Sequence, residues 1–154
     1  MTLRYWDADA FLGWLRAEPD KEEGCRAVIA EAQADRLKIV TSTLTLAEVL
    51  WLKGNDPIPA EDREKVRSFF RHRWIALAQL DRSTAELAQE VVWEHGVRPK
   101  DAVHVATALK TQVEQLDTFD RALQRKSGEV GTPPLKIGPP GIEGQLFTRP
   151  VSDE

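Results

Sequence analysis

Short apolar segments rich in β-branched residues alternate with segments of helical periodicity along most of the chain. Strands are predicted at residues 3–8, 37–42, 74–80 and 113–118, with a further short strand at 135–137. A strand can lie parallel to its predecessor only when a crossover, usually a helix, carries the chain back to the starting edge of the sheet. The alternation therefore predicts an α/β fold, an α/β/α sandwich around a central parallel sheet of four to five strands.

The segments between the predicted strands carry signals for where helices begin and end. Residues 45–48 and 83–86 match the capping box, in which a hydroxyl and a carboxylate three positions apart bind the first free N–H groups of a helix. Gly96 is placed to end a helix, and Pro99 suits the first position of the next one. We therefore predict helices at residues 9–17, 22–36, 45–54, 60–73, 83–95, 99–111 and 120–126.

The length of 154 residues suits one domain with a substantial hydrophobic core. The composition changes at Ser127, because residues 128–154 hold five of the nine glycines and five of the nine prolines. Since these residue types interrupt helices and strands, this segment is predicted to be largely irregular. We therefore predict one domain over residues 1–140 and a C-terminal tail containing glycine and proline over residues 141–154.

Charge and cysteine content exclude several classes of protein. The formal net charge is −4, which argues against a chain that coats nucleic acid by bulk positive charge, although a local basic groove is compatible with it. Cys25 is the single cysteine, so no internal disulfide can form, and a reducing cytoplasm is the expected location. No apolar run approaches the roughly 20 residues that a membrane span needs, so no membrane association is expected.

Acidic residues recur where the chemistry of a parallel sheet would place them. Four acids follow a predicted strand or lie in the first turn of a helix: Asp7, Glu48, Asp101 and Asp120. Because ligands of open parallel sheets bind beyond the carboxyl ends of the strands, these side chains are expected to converge at one edge. Asp9 and Asp117 are two further carboxylates near the same points.

Several carboxylates at close range need a counter-charge, and hard divalent cations such as Mg²⁺ or Mn²⁺ supply it through oxygen ligands. A bound cation of this kind can activate a water and stabilise the leaving oxygen in phosphodiester hydrolysis. No protein nucleophile is then required, and the sequence contains no nucleophile elbow, no P-loop and no dinucleotide-binding fingerprint. The acids therefore predict metal-dependent hydrolysis.

Four segments resemble the four motifs of the PIN domain, in the order in which that family has them. They are residues 5–12, 42–50, 100–109 and 118–123, and the resemblance extends over roughly residues 3–140. Each motif is weak alone, but four in order are fairly specific. The resemblance implies the PIN-like α/β/α sandwich and the activity of a Mg²⁺- or Mn²⁺-dependent endoribonuclease. It points to the VapC-type toxins of bacterial type II toxin–antitoxin pairs.

The resemblance also implies roles for individual residues and partners. The catalytic and metal-binding quartet of the family would be Asp7, Glu48, Asp101 and Asp120. Thr118 matches the hydroxyl residue that the family has two positions before its last acid, and Asp9 stands where many members have asparagine. An RNA substrate, an inhibitory antitoxin protein and a homodimer are expected on the same grounds.

Two other interpretations of the sequence stay open. Asp7 and Asp9 also form the Asp-x-Asp pattern of a haloacid-dehalogenase-like phosphatase, in which Asp7 would be a nucleophile and Lys100 a later motif residue. Alternatively, the chain is a catalytically inactive binding module whose interface includes Trp51 or Trp93.

Some residues near the acids have ordinary structural explanations. His104 shares a helix face with Asp101, and we interpret it as a half-buried packing residue outside the catalytic set. Asp117 is either an indirect metal contact or only the end of a strand. Arg121 and Arg125 directly follow the last acid, so they are the better-placed candidates for contacts to a nucleic-acid backbone.

Overall fold

A computed structural model describes residues 1–51 and 57–142 of the protein, and its centre is a parallel β-sheet. The strands are β1 (Thr2–Trp6), β2 (Leu37–Ser42), β3 (Ile75–Ala78), β4 (Gln115–Asp117) and β5 (Ile137–Gly138). They are ordered β3-β2-β1-β4-β5, and all four neighbouring pairs are parallel. The predicted parallel α/β sandwich is therefore confirmed, with five strands.

Helices connect the strands and cover both faces of the sheet. They are α1 (Ala8–Leu15), α2 (Glu22–Gln33), α3 (Thr43–Glu48), α4 (Arg63–Phe69), α5 (Arg82–His95), α6 (Pro99–Thr111) and α7 (Arg121–Gln124), with a 3-10 turn at Ala60–Asp62 before α4. No helix in the described ranges is long and apolar enough to cross a membrane.

Alternation along β1 divides the hydrophobic core into two parts. Tyr5 is fully buried among residues of α5 and α6, such as Val91 and Val105. Its neighbour Trp6 is fully buried on the other face with residues of α1 and α2, such as Phe11 and Val28. Because successive side chains of a strand point to opposite faces, one strand anchors both layers of helices.

The structure corrects the predicted start and end of α3. The Ser42 hydroxyl accepts a hydrogen bond from the N–H of Leu44 at 3.1 Å, so Ser42 is the cap. Thr45, the predicted cap, lies buried inside the helix, and the helix ends at Glu48. The predicted helix over residues 45–54 therefore begins too late and ends too late, and residues 52–54 of it lie outside the described ranges.

The ends of α5 and α6 follow the sequence signals more closely. Asp81 caps α5 by accepting the N–H of Thr84 at 2.9 Å, so the predicted capping hydroxyl of Ser83 lies two residues too far along. Gly96 ends α5 in a left-handed conformation with φ of 66°, and Pro99 is the first residue of α6. Both of these predictions are confirmed.

The segment after α7 is irregular but packed on the domain. Val130, Leu135 and Ile137 are buried, and the predicted strand at 135–137 is β5, displaced by two residues. Most of the predicted tail lies outside the described residues, so the domain boundary near residue 140 stays a prediction.

A buried ion pair joins β1, β4 and the end of the described chain. Asp117 is fully buried and accepts hydrogen bonds from Arg4 at 2.8 and 3.1 Å, Trp6 at 2.8 Å and Gln115 at 2.9 Å. Arg4 also donates to the carbonyl of Gly141 at 2.9 Å. Burial raises the pKa of Asp117 to about 7, although Arg4, Trp6 and Gln115 lower it. Asp117 thus ends β4, which is one of its two predicted roles. The ion pair with Arg4 was not predicted.

Candidate functional site

The four predicted acids lie along the carboxyl edge of the sheet, where the strand order changes direction. Strand β1 lies between β2 and β4, and the chain crosses to opposite sides of it. Asp7 follows β1, Asp120 follows β4, Glu48 ends the helix after β2, and Asp101 lies in the first turn of α6. Such a switch point forms the crevice in which open parallel sheets bind ligands.

Asp7 is the most deeply buried of these acids. Only 4% of its surface is exposed, and its Oδ1 accepts the N–H of Ala10 at 3.0 Å, which caps α1. Burial raises the pKa of Asp7 to about 7, while the charge of His104 and a hydrogen bond with Thr118 lower it. The folded protein therefore holds this carboxylate at a cost in free energy that a bound cation would reduce.

Thr118 and Asp120 are held by the turn that follows β4. The backbone N–H of Asp120 donates to the Thr118 hydroxyl at 3.1 Å. Oδ1 of Asp120 accepts the N–H groups of Ala122 at 2.8 Å and Leu123 at 3.2 Å, which caps α7. This leaves Oδ2 for a ligand. Thr118 is fully buried, so its hydroxyl is placed to orient acids rather than to contact a substrate.

Glu48 is held by a chain of hydrogen bonds that starts in the core. The N–H of Ser42 donates to the Tyr5 hydroxyl at 3.1 Å, and that hydroxyl lies 2.6 Å from Nδ1 of His104. Nε2 of His104 lies 2.6 Å from Oε1 of Glu48. Because a carboxylate only accepts, Nε2 carries the proton of this bond. Glu48 is therefore oriented by His104 and does not complete a capping box.

His104 brings positive charge among the acids. Burial lowers the pKa of His104, but its hydrogen bond to Glu48 and the charges of Asp7, Glu48 and Asp101 outweigh this and raise the pKa above its usual value. His104 was predicted as a packing residue, yet it is 2% exposed and contacts a member of the quartet. Its spacing of three residues from Asp101 was the signal that could have placed it in the site.

The remaining acid is coupled to the others. Burial raises the pKa of Asp101, and the negative charges of Asp120, Asp9 and Glu48 raise it further, against the effect of His104. The charges of three acids therefore act on Asp101, and His104, which contacts Glu48, acts on both Asp7 and Asp101. The roles of the four predicted acids as catalytic residues or metal ligands stay predictions.

The donor set fits a hydrated hard cation. No three His, Cys, Asp or Glu side chains within residues 1–51 and 57–142 are grouped closely enough to form a complete metal site by themselves. Mg²⁺ keeps several of its waters, however, and is commonly held by only one or two protein carboxylates. Burial and the negative charge of Asp9 both disfavour the ionised forms of Asp7 and Asp101, and a bound cation would offset this cost.

Two clefts of about 310 Å³ each meet at Asp120. The first, here called the α6 cleft, extends from Asp101 to Arg98 and Lys126. The second, the α1 cleft, extends from Asp9 to Lys21. The candidate site around Asp120 thus lies where the two clefts join. Arg121 and Arg125 follow Asp120 and were predicted to contact a nucleic-acid backbone. Both are exposed, but neither is among the described residues that line these two clefts.

A parallel sheet with acids at its switch point defines a class of α/β protein, and comparison with known families identifies which one. The PIN domain family profile matches residues 4–129. The match extends over most of the chain, and the protein therefore belongs to the PIN domain family. No curated protein sequence matches the chain.

Three solved structures share this fold. VapC20 of Mycobacterium tuberculosis, described as a sarcin–ricin loop cleaving toxin, is 16% identical, with 76% of this chain and 89% of VapC20 covered at a TM-score of 0.60. A toxin–antitoxin complex from Klebsiella pneumoniae is 16% identical, with 78% and 87% covered at a TM-score of 0.55. VapBC2 of Rickettsia felis, bound to a DNA fragment from its promoter, is 13% identical, with 88% and 97% covered at a TM-score of 0.62.

The family assignment favours neither of the two alternatives drawn from the sequence. As the nucleophile of a phosphatase, Asp7 would have to reach a substrate, yet it is buried and one of its oxygens caps α1. Trp51 and Trp93 are exposed, as the binding-module alternative requires, but a coupled group of acids lies at the switch point of the same chain.

Proposed function

We propose that the protein is a metal-dependent endoribonuclease that cleaves RNA phosphodiesters as a VapC-type toxin. The proposal is supported by the position of four acids along the carboxyl edge of the sheet of a PIN domain: Asp7, Glu48, Asp101 and Asp120. The toxin–antitoxin proteins among the structural relatives, one of them described as a sarcin–ricin loop cleaving toxin, support the same reaction class.

The proposed division of labour follows from the contacts of each side chain. Asp7, Asp101 and Asp120 would hold Mg²⁺ or Mn²⁺, and Glu48 would complete the set. When bound, the ion supplies positive charge to the phosphate and lowers the pKa of an attacking water. Thr118 is a positioning residue, because it contacts Asp7 and the backbone of Asp120.

His104 and Tyr5 fix the fourth acid. Their two contacts of 2.6 Å connect Glu48 to the interior of the sheet, so the carboxylate cannot rotate without breaking a buried hydrogen bond. A carboxylate held in one orientation binds an ion or a water with less loss of side-chain entropy than a free one. His104 is therefore also a positioning residue in this proposal.

The charge balance predicts that metal is needed for RNA binding as well as for cleavage. The quartet accounts for the whole formal charge of −4, so the remainder of the chain is balanced. A polyanion approaching the bare acids is repelled, and each divalent cation bound at the quartet offsets two of its four formal negative charges. We also propose an antitoxin protein as partner, a homodimer and a cytoplasmic location, which are the expectations for a toxin of this type.

The test is cleavage of a mixed RNA pool with EDTA, with Mg²⁺ and with Mn²⁺. Asp101→Asn is the site variant, and Asp35→Asn is a matched control, because Asp35 is exposed just before β2, at the opposite edge of the sheet. Asp35 has a φ of 62°, which asparagine tolerates. We expect metal-dependent cleavage by the parent and Asp35→Asn and none by Asp101→Asn. Normal cleavage by folded Asp101→Asn would overturn the assignment of the quartet.

A further inference from the structure

The two clefts that meet at Asp120 differ in the charges that line them. The α6 cleft carries two cations, Arg98 and Lys126, and its acids are Asp101 and Asp120, both members of the quartet. Arg98 is exposed, and no carboxylate among the described residues forms an ion pair with it. Lys126 is half-buried and lies 3.8 Å from Glu129, at the outer limit for an ion pair.

The α1 cleft also carries two cations, but acids of its own neutralise them. Nζ of Lys21 lies 2.8 Å from Glu18, and Arg16 lies 3.8 Å from the same carboxylate. Lys21 is further held over the ring of Phe119, 5.1 Å from its centre. Asp9 adds a second acid outside the quartet.

The difference becomes decisive once a divalent ion binds at Asp101 and Asp120, because its two positive charges equal the two negative charges of these carboxylates. The α6 cleft then keeps a net positive charge, because Glu129 offsets only Lys126 and leaves Arg98 unbalanced among the described residues. In the α1 cleft, Glu18 and Asp9 still balance Arg16 and Lys21. A polyanion that reaches the site is therefore attracted on one side of Asp120 and not on the other.

We propose that the α6 cleft is the subsite for an RNA nucleotide next to the bond that is cut. Arg98 and Lys126 contact its phosphate, and the apolar walls formed by Val97 and Leu123 pack against its sugar or base. The cleft volume of about 310 Å³ suits one small ligand group and not a duplex. This inference rests on the proposed function. It adds that the bound RNA extends from the acids toward Arg98 and Lys126.

The test measures RNA binding separately from cleavage. All variants carry Asp101→Asn, so that the RNA stays intact, and binding of a short fluorescent single-stranded RNA is followed by anisotropy with Mg²⁺ over a series of salt concentrations. The cleft variant is Arg98→Gln with Lys126→Gln. The matched control, Arg16→Gln with Lys21→Gln, removes the same charge from the α1 cleft.

The expected result is a loss confined to the α6 cleft. Removal of two phosphate contacts should weaken binding on the order of 10-fold at low salt, and the slope of log K against log salt should fall by about 0.7 for each contact. The effect should be the same for RNAs of different sequence, because phosphates carry no base identity. The control should bind as the parent does, and Arg98→Lys with Lys126→Arg should restore most of the affinity.

Each other result overturns a defined part of the argument. Equal losses in the two charge-removing variants would show that bulk charge and not the α6 cleft binds RNA. Unchanged binding and salt slope in the folded cleft variant would exclude the subsite while leaving the nuclease proposal intact. A parent protein that binds no RNA at any salt concentration would overturn the proposed RNA substrate, and the subsite with it. Thermal unfolding of every variant confirms that the proteins compared are folded.

Discussion

Replacement of Asp117 by asparagine is expected to destabilise the protein strongly. All four side-chain contacts of this carboxylate come from N–H donors, three to Oδ1 and one to Oδ2. An amide in the same place must point its own NH₂ group at one of these donors, whichever way it is turned. The variant also leaves the buried guanidinium of Arg4 without its counter-charge.

The magnitude follows from the burial of the pair. The side chains of Arg4 and Asp117 are 7% and 0% exposed, so water cannot replace the lost partner. Removal of one member of such a pair costs about 3–5 kcal/mol, whereas replacement of both by apolar residues is often close to neutral. Arg4→Met with Asp117→Leu should therefore recover most of the stability that Asp117→Asn loses, apart from the bonds to Trp6 and Gln115.

Urea unfolding near neutral pH measures these differences, with equal slopes in denaturant as the check that the states compared are the same. A loss below about 1 kcal/mol for Asp117→Asn would refute the reasoning that the pair is desolvated. RNA cleavage below the unfolding transition supplies the second readout. If Asp117→Asn is stable but inactive, Asp117 belongs to the site and its ion pair is incidental.

Three further predictions follow from other contacts. Gly24→Ala places a Cβ 2.1 Å from a backbone carbonyl oxygen and should lower stability to urea by about 1–3 kcal/mol, whereas Gly141→Ala, with open space around it, should change little. His104→Leu removes the hydrogen-bond partner of both the buried Tyr5 hydroxyl and Glu48, and should lower the unfolding free energy by about 1–3 kcal/mol and also slow RNA cleavage. Unchanged cleavage would exclude a positioning role. Burial raises the pKa of Asp7 from 3.8 to about 7, so the metal-free folded protein holds a proton there that the unfolded chain has released, and stability measured by thermal unfolding in EDTA should decrease from about pH 4 to pH 7. Asp7→Asn, which lacks this carboxyl, should show a smaller decrease.

The features that the sequence predicts well are those set by neighbouring residues. The alternation of strands and helices determines the parallel sheet, and the position of Asp7 after a strand of buried residues places it at the carboxyl edge. Gly96 and Pro99 mark helix ends through backbone conformation alone, so their effects are also local. These features can be predicted without knowing which strands are adjacent in the sheet.

The features that the sequence does not predict depend on contacts between distant residues. Glu48 contacts His104 at a separation of 56 positions, so its capping-box pattern gave the wrong partner. The buried pair of Asp117 and Arg4 forms only because β4 lies beside β1, which the linear order does not specify. Asp81 and Ser83 are both residue types that cap helices, and in the structure Asp81 is the cap of α5. The pattern of residue types alone cannot decide between the two.

The strand order also sets the sequence of events during synthesis of the chain. Asp7 leaves the ribosome early, whereas β4 and Asp120 follow more than a hundred residues later, and β5 closes the sheet only beyond them. At about 5–20 residues per second, an interval on the order of 6–20 seconds separates the first acid from the last. During that time β1 lacks its β4 neighbour and no partial product has the group of four acids. Under the proposed function, a nascent chain is therefore expected to cleave no RNA before Asp120 has left the ribosome and joined the other three acids.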